Sequence, residues 1–230
     1  FQNHPQQYIY LILHLLFQIG TKGMFDTSDG TVRGRPLNSD AARFLTPASI
    51  YVDPENGDVY VADGEARGRN RRIAVMDREG RFLRQWRPEG MENIHCMTGA
   101  RDGLVYVCNR YNSRLQVYDQ RGRFIRNIEV PWQPYTPPAD GVERETEGSA
   151  VSLAISRDQN QTRMYVVNQD NARIEIIDRQ TGRILSSFGG GMGHFPGQFD
   201  QPHGIAVDSE ESVYVTENRG RRIQRFTIVR

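Results

Sequence analysis

Lysine is almost missing from this 230-residue chain: Lys22 is the single one, so nearly all of its 29 basic residues are arginine. Against 28 acidic residues they leave a formal net charge of +1. The two signs are interspersed, which excludes the basic footprint of a nucleic-acid-binding protein. Cysteine is scarce as well. Cys96 and Cys108 are too few for a thiolate zinc site or a disulfide scaffold. They read as two buried thiols, with a bond between neighbouring strands as the alternative. Long apolar runs are absent too: Tyr8 to Phe17, broken by His14, is about half of what a bilayer crossing needs. Phe1 to Gln7 contains no Lys or Arg and so lacks the basic leader of a signal peptide, which leaves that run as a strand with an extension. No helical period of useful length occurs anywhere.

What the chain does have is a repeat. A segment of the form V-Y-V-x-[DNE] occurs around Tyr60, Tyr106, Tyr165 and Tyr214, at spacings of 46, 59 and 49 residues. Each of the first three copies lies between an upstream apolar strand and two downstream strands joined by an Asp- and Gly-containing turn, such as Asp77 to Gly80 or Asp119 to Gly122, and the fourth has a single downstream strand. A strand-built period near 45 residues is the signature of propeller blades, because one four-stranded sheet covers both faces only by stacking on its neighbours. The expected fold is therefore all-β, a propeller with four blades present. The expected division is an N-terminal segment 1–20 ending in an outer blade strand at Leu15 to Gly20, then blades at 21–90 and 91–132. An inter-blade loop at 133–147 follows, then a blade at 148–199 and a last blade at 200–230 that lacks its outermost strand. The two loose ends are complementary. Either four blades close on themselves, or, as the mid-blade start favours, the arc belongs to a six-bladed ring completed by further blades or another chain.

Laying the innermost strands over one another gives a column of Ala48, His95, Val151 and His203. Histidine thus recurs in alternate units, where side chains of successive blades converge on the central channel. Three such imidazoles with an open fourth position make a catalytic zinc arrangement, so His95 and His203 are candidate zinc ligands. The blander assignment is that each histidine hydrogen-bonds a strand end. A second ring of matching positions, Asp63, Asn109, Asn168 and Glu217, closes the V-Y-V strands. It is a candidate binding rim for a peptide, glycan or protein, or else a set of strand-terminal hydrogen bonds.

The stretch Asp200 to Asp208, preceded by Gly193 to Phe199, resembles the repeat of NHL propellers. The column order resembles the last four blades of the six-bladed lyases that cleave peptidyl-α-hydroxyglycine to a peptide amide and glyoxylate. That resemblance implies zinc at His95 and His203 and a substrate carboxylate held by Arg110, for which a guanidinium fork is suited. It also implies an extracytoplasmic location. Two positions depart from the pattern: Glu65 stands where those lyases carry a catalytic tyrosine, and Gly204 replaces their aspartate after the last histidine. Glu65 is then the candidate base. The expected function is a ligand- or protein-binding scaffold derived from a lyase-like fold. The alternative is a zinc-dependent peptidyl-α-hydroxyglycine lyase, impaired by these departures.

Overall fold

The computed structural model describes residues 15, 17–20, 43–65, 70–133 and 147–228. Fifteen strands and no helix are found among them, so no helix there is long and apolar enough to cross a membrane. The strands form four antiparallel meanders. Blade 1 comprises β1 (Pro47–Val52), β2 (Val59–Asp63), β3 (Arg72–Met76) and β4 (Phe82–Trp86). Blade 2 comprises β5 (Ile94–Gly99), β6 (Leu104–Asn109), β7 (Arg114–Asp119) and β8 (Phe124–Glu129). Blade 3 comprises β9 (Ala150–Ile155), β10 (Arg163–Asn168), β11 (Arg173–Asp178) and β12 (Ile184–Phe188). Blade 4 has three strands, β13 (Pro202–Val207), β14 (Val213–Glu217) and β15 (Ile223–Phe226).

The hairpins form where the turn chemistry predicts them. Asp77 accepts hydrogen bonds from the Glu79 and Arg81 amides, and Asp119 does the same for Arg121 and Arg123. The glycine that follows in each turn takes a positive φ, 82° at Gly80 and 84° at Gly122, which L side chains rarely adopt. The marker tyrosines do not point at the channel. Tyr60, Tyr106 and Tyr165 are fully buried in the three apolar clusters that join blade 1 to 2, 2 to 3 and 3 to 4. The core of the molecule is thus a set of inter-blade interfaces, as stacked repeats require.

The innermost strands pack successively, β1 on β5, β5 on β9 and β9 on β13, while β13 makes no comparable packing with β1. Residues 15 and 17–20, expected as an outer strand, form none. No described strand pairs with them. Phe17 instead lies against Gly80, as Trp86 lies against Gly122 and Ile128 against Gly182 in the following blades. Residues 1–14 and 16 of the expected segment 1–20, 21–42 and 66–69 of the expected blade 21–90, and 134–146 of the expected loop 133–147 fall outside the described residues.

One irregularity recurs in every blade and positions the site. The first two strands pair normally along most of their length, but the register shifts near the start of the inner strand. In blade 1 the unpaired extra residue is Ala48, and in blade 4 it is His203. In blades 2 and 3 two residues, including His95 and Val151 respectively, face one on the partner strand. The whole column is a set of β-bulges. A bulge bends its strand and re-aims a side chain, and at two of these positions the His95 and His203 rings meet, while Val151 is buried in the cluster between blades 3 and 4.

Candidate functional site

His95 lies on the β5 bulge, 9% exposed. Its Nδ1 sits 2.7 Å from the Val151 carbonyl of blade 3. A carbonyl only accepts, so Nδ1 carries the hydrogen and Nε2 presents a lone pair to the channel. Burial, with the Arg110 guanidinium beside it, pushes the imidazole down to about 4, the Val151 carbonyl opposing. His95 is therefore neutral at physiological pH. The His203 ring lies edge-on to it at 5.2 Å between centroids and 69° between planes. Its pKa is also lowered, by burial first and then by Arg110, with Glu65 opposing.

Glu65 follows β2 in the loop tied to Thr46, whose carbonyl accepts from the Gly64 and Glu65 amides. It brings Oε1 to 3.4 Å from His95 Nε2. A neutral imidazole lone pair facing a carboxylate oxygen is a pair of acceptors with no hydrogen between them. Such a gap is suited to a cation or to a donor hydrogen from a ligand. Arg110, the residue after β6, is 8% exposed. Its Nη1 bonds Glu147 at 2.7 Å and its Nη2 donates to Gln169. Gln169 in turn donates to the Pro202 carbonyl, next to His203. Blades 1, 2, 3 and 4 thus contribute Glu65, His95 and Arg110, Gln169, and His203 to one cluster.

Three features of this cluster escaped the sequence. Gln169 was findable, because it follows Asn168 as Arg110 follows Asn109. Glu147 ends a charged loop and carried no positional signal. Close approach of that loop depends on Gly148, whose φ is +105° and where an added Cβ would lie 1.9 Å from the Arg110 carbonyl oxygen. The third feature is the bond between Cys96 and Cys108, expected as two thiols. It joins β5 to β6 with Cα atoms 4.9 Å apart, between His95 and Arg110.

The candidate rim residues make the strand-terminal hydrogen bonds given as their alternative. Asp63, Asn109, Asn168 and Glu217 are all buried. Asp63 accepts from the Leu45 and Thr46 amides and from Arg72, and Glu217 accepts from the Asp200 amide and Arg222. Asn109 donates to the Gly90 carbonyl and Asn168 to that of Pro131. Each one ties the end of its second strand to the chain leading into the first strand of the same blade. These side chains face their own backbone because a polar group ending a buried strand must be satisfied there.

Zinc, implied by the resemblance, meets a mixed donor set. The two imidazoles are suitable ligands in protonation state, and Glu65 is the nearest third donor. Yet no group of three His, Cys, Asp or Glu among the described residues is disposed to hold a metal ion.

Comparison with known proteins agrees with the fold and with the lineage. Residues 199–226 match the NHL repeat. The chain is 27% identical over 237 residues to peptidyl-glycine α-amidating monooxygenase B of Xenopus laevis, covering 94% of this chain and 24% of that protein. It is 24% identical over 251 residues to peptidyl-α-hydroxyglycine α-amidating lyase 1 of Drosophila melanogaster, covering 96% and 43%. The chain spans about a quarter of the length of the Xenopus relatives it matches. Among solved structures, virginiamycin B lyase from Staphylococcus aureus superposes with a TM-score of 0.54 at 16% identity, over 84% of this chain and 58% of that one. That likeness concerns the fold alone. The chain is thus a β-propeller that carries an NHL repeat at residues 199–226 and is similar in sequence to the peptidylglycine α-amidating enzymes.

Proposed function

We propose that this chain is a ligand-binding propeller that takes a carboxylate-bearing peptide at the end of the channel marked by the bulges. The observation that carries this reading is the buried Arg110 guanidinium, which converges with groups from all four blades and is covered by a carboxylate from its own chain, Glu147. A ligand carboxylate replaces Glu147 on the fork, keeping the charge-assisted pair while the loop residue moves to water. Neutral His95 and His203 then face the ligand backbone. The proposed setting is extracytoplasmic, in keeping with the bond between Cys96 and Cys108, since such bonds persist in oxidising compartments.

A second reading, zinc-dependent cleavage of peptidyl-α-hydroxyglycine, is favoured by the lone pair of His95 Nε2 facing Glu65. His95 and His203 would hold the metal, which when bound supplies Lewis-acid polarisation of the substrate hydroxyl. Arg110 fixes the substrate carboxylate. Glu65 would take the hydroxyl proton as the carbon–nitrogen bond breaks and return it to the departing amide nitrogen, so that the C–O bond becomes the carbonyl of glyoxylate and the peptide leaves as its amide. A carboxylate is a weaker base than a phenolate, so a slow rate is expected.

The test is calorimetric titration with a short acetylated peptide ending in glycine, beside the same peptide amidated at its C-terminus. Binding of the acid form alone, lost in Arg110→Ala, supports the reading; equal binding of both peptides sinks it. Metal content of the wild type against His95→Ala/His203→Ala, followed by a glyoxylate assay, separates the second reading from the first.

A further inference from the structure

The inner strands run from the histidine cluster to the opposite mouth of the channel. There a cavity of about 570 Å³ opens between all four blades. Four residues of extended β9, about 13 Å of chain, separate Val151 from Ile155 in its wall, so this space is distinct from the Arg110 cluster. Its volume is that of a small-molecule site.

The chemistry of the wall is asymmetric. Leu153, Ile155, Ile205 and Val207 supply an aliphatic surface, and the only charged groups lining it are Arg101 and Arg157. They occupy equivalent places, in the turns after β5 and β9. The Arg101 guanidinium donates to the Gln159 carbonyl and that of Arg157 to the Val207 carbonyl. Neither is paired with a carboxylate among the described residues, unlike Arg179 with Asp102 or Arg163 with Glu211 nearby. Two exposed guanidiniums that make no side-chain ion pair among the described residues, beside a wall that is half apolar and half polar, suit an anion that brings its own apolar body, even with the Glu211 carboxylate accepting from the Arg157 amide.

Two further features fit. Each inner strand is hydrogen-bonded on one side only, so its channel-facing peptide groups have no strand partner. Tyr51 also lines the wall. Its ring lies over Gly99, where an added Cβ would come within 2.2 Å of it. Burial and then Asp53 hold its hydroxyl up at about 12, which keeps it a donor at neutral pH.

From this arrangement we infer that the second mouth of the channel is a binding site for an amphipathic carboxylate, an acyl or arylalkyl acid whose head lies between Arg101 and Arg157 and whose apolar body enters along Leu153 and Ile205. It is independent of the Arg110 site and stands whether or not that reading holds.

Decanoate and decanol are the probes, titrated calorimetrically into the chain. One decanoate per chain is expected, bound at least ten-fold more tightly than decanol. In Arg101→Ala/Arg157→Ala the preference for the acid should vanish, and Ala206→Phe, which fills the cavity from an exposed position, should abolish saturable binding of both. Arg110→Ala should retain decanoate. Circular dichroism on each variant checks that the propeller is intact, and the acid-to-alcohol ratio in the wild type needs no variant at all. No saturable decanoate binding, an acid-to-alcohol ratio near one, or loss of binding in Arg110→Ala overturns the inference.

Discussion

Blades 2 and 4 are written in the same grammar and yet differ in what they bury. Tyr106 of blade 2 has no solvent exposure, while Tyr214, its counterpart in blade 4, is half-buried and bonds Asp208 at 3.0 Å. At the other end of the arc, Ile50 of blade 1 is 65% exposed where Met97 of blade 2 is 5% exposed. The residue types match, but the neighbours do not. Burial in this molecule is conferred by the adjacent blade, so stability is a sum over interfaces more than over blades. The histidines follow the same rule. His95, between two blades, is anchored to Val151 and driven neutral, whereas His203 on the terminal blade is less enclosed, its pKa lowered by burial first and then by Arg110.

The largest test of this contrast is Tyr106→Ala against Tyr214→Ala. The first should cost about 3–5 kcal/mol, as large buried aromatic truncations do, and the second about 1 kcal/mol. Urea unfolding measures both, and equal losses would mean that the blades are stabilised from within. Next in size is acid sensitivity in chelator. The His95 pKa is near 4 in the folded chain and 6.5 in the unfolded one, so between those values the unfolded chain binds more protons. The resulting stability is fully present above about pH 6.5 and is lost as pH falls toward 4, roughly 3 kcal/mol in all. His95→Gln should remove most of this slope and His203→Gln much less of it. A comparable flattening by both would erase the distinction between interior and terminal blades.

A smaller effect is expected at the loop that covers Arg110. Glu147→Gln keeps the shape but weakens the competing ion pair, so affinity for a peptide carboxylate should rise several-fold, read by the same titration. Unchanged affinity would mean that Glu147 does not compete. The smallest is electrostatic: Arg110→Gln should move the His95 imidazole upward by a fraction of a pH unit, visible in an NMR titration. An unmoved His95 would leave burial as the sole cause of its low pKa.

The sequence revealed the fold because period, turn and strand signals coincide in each blade: one V-Y-V segment, one Asp-to-Gly turn, one arginine opening the third strand. It put His95 and His203 in one column, because aligning repeats also aligns positions around an axis, while Arg110 came only from the lyase resemblance. It left Asp63, Asn109, Asn168 and Glu217 open between a binding rim and strand-terminal hydrogen bonds, since a polar residue ending a strand looks the same whether it faces a ligand or its own backbone. Only the amides of Leu45, Thr46 and Asp200 distinguish the two. Glu147 was illegible because a loop has no period, and the Cys96–Cys108 bond was legible only as an alternative to two thiols, because strand pairing through a bulge shifts which residues face one another. Residues 15 and 17–20 resembled an outer strand in composition, but composition does not name a strand's partner, and none of the described strands pairs with them.

The bulge repeated in all four blades has a consequence for how such a molecule changes. Each one is a socket whose direction is set by backbone register and whose content is set by a single codon. In this chain two sockets hold imidazoles and two hold small or aliphatic fillers, Ala48 and Val151, at the same address in their blades. A new chemistry can therefore be installed, or an old one erased, by rewriting one letter without disturbing the sheet that aims it.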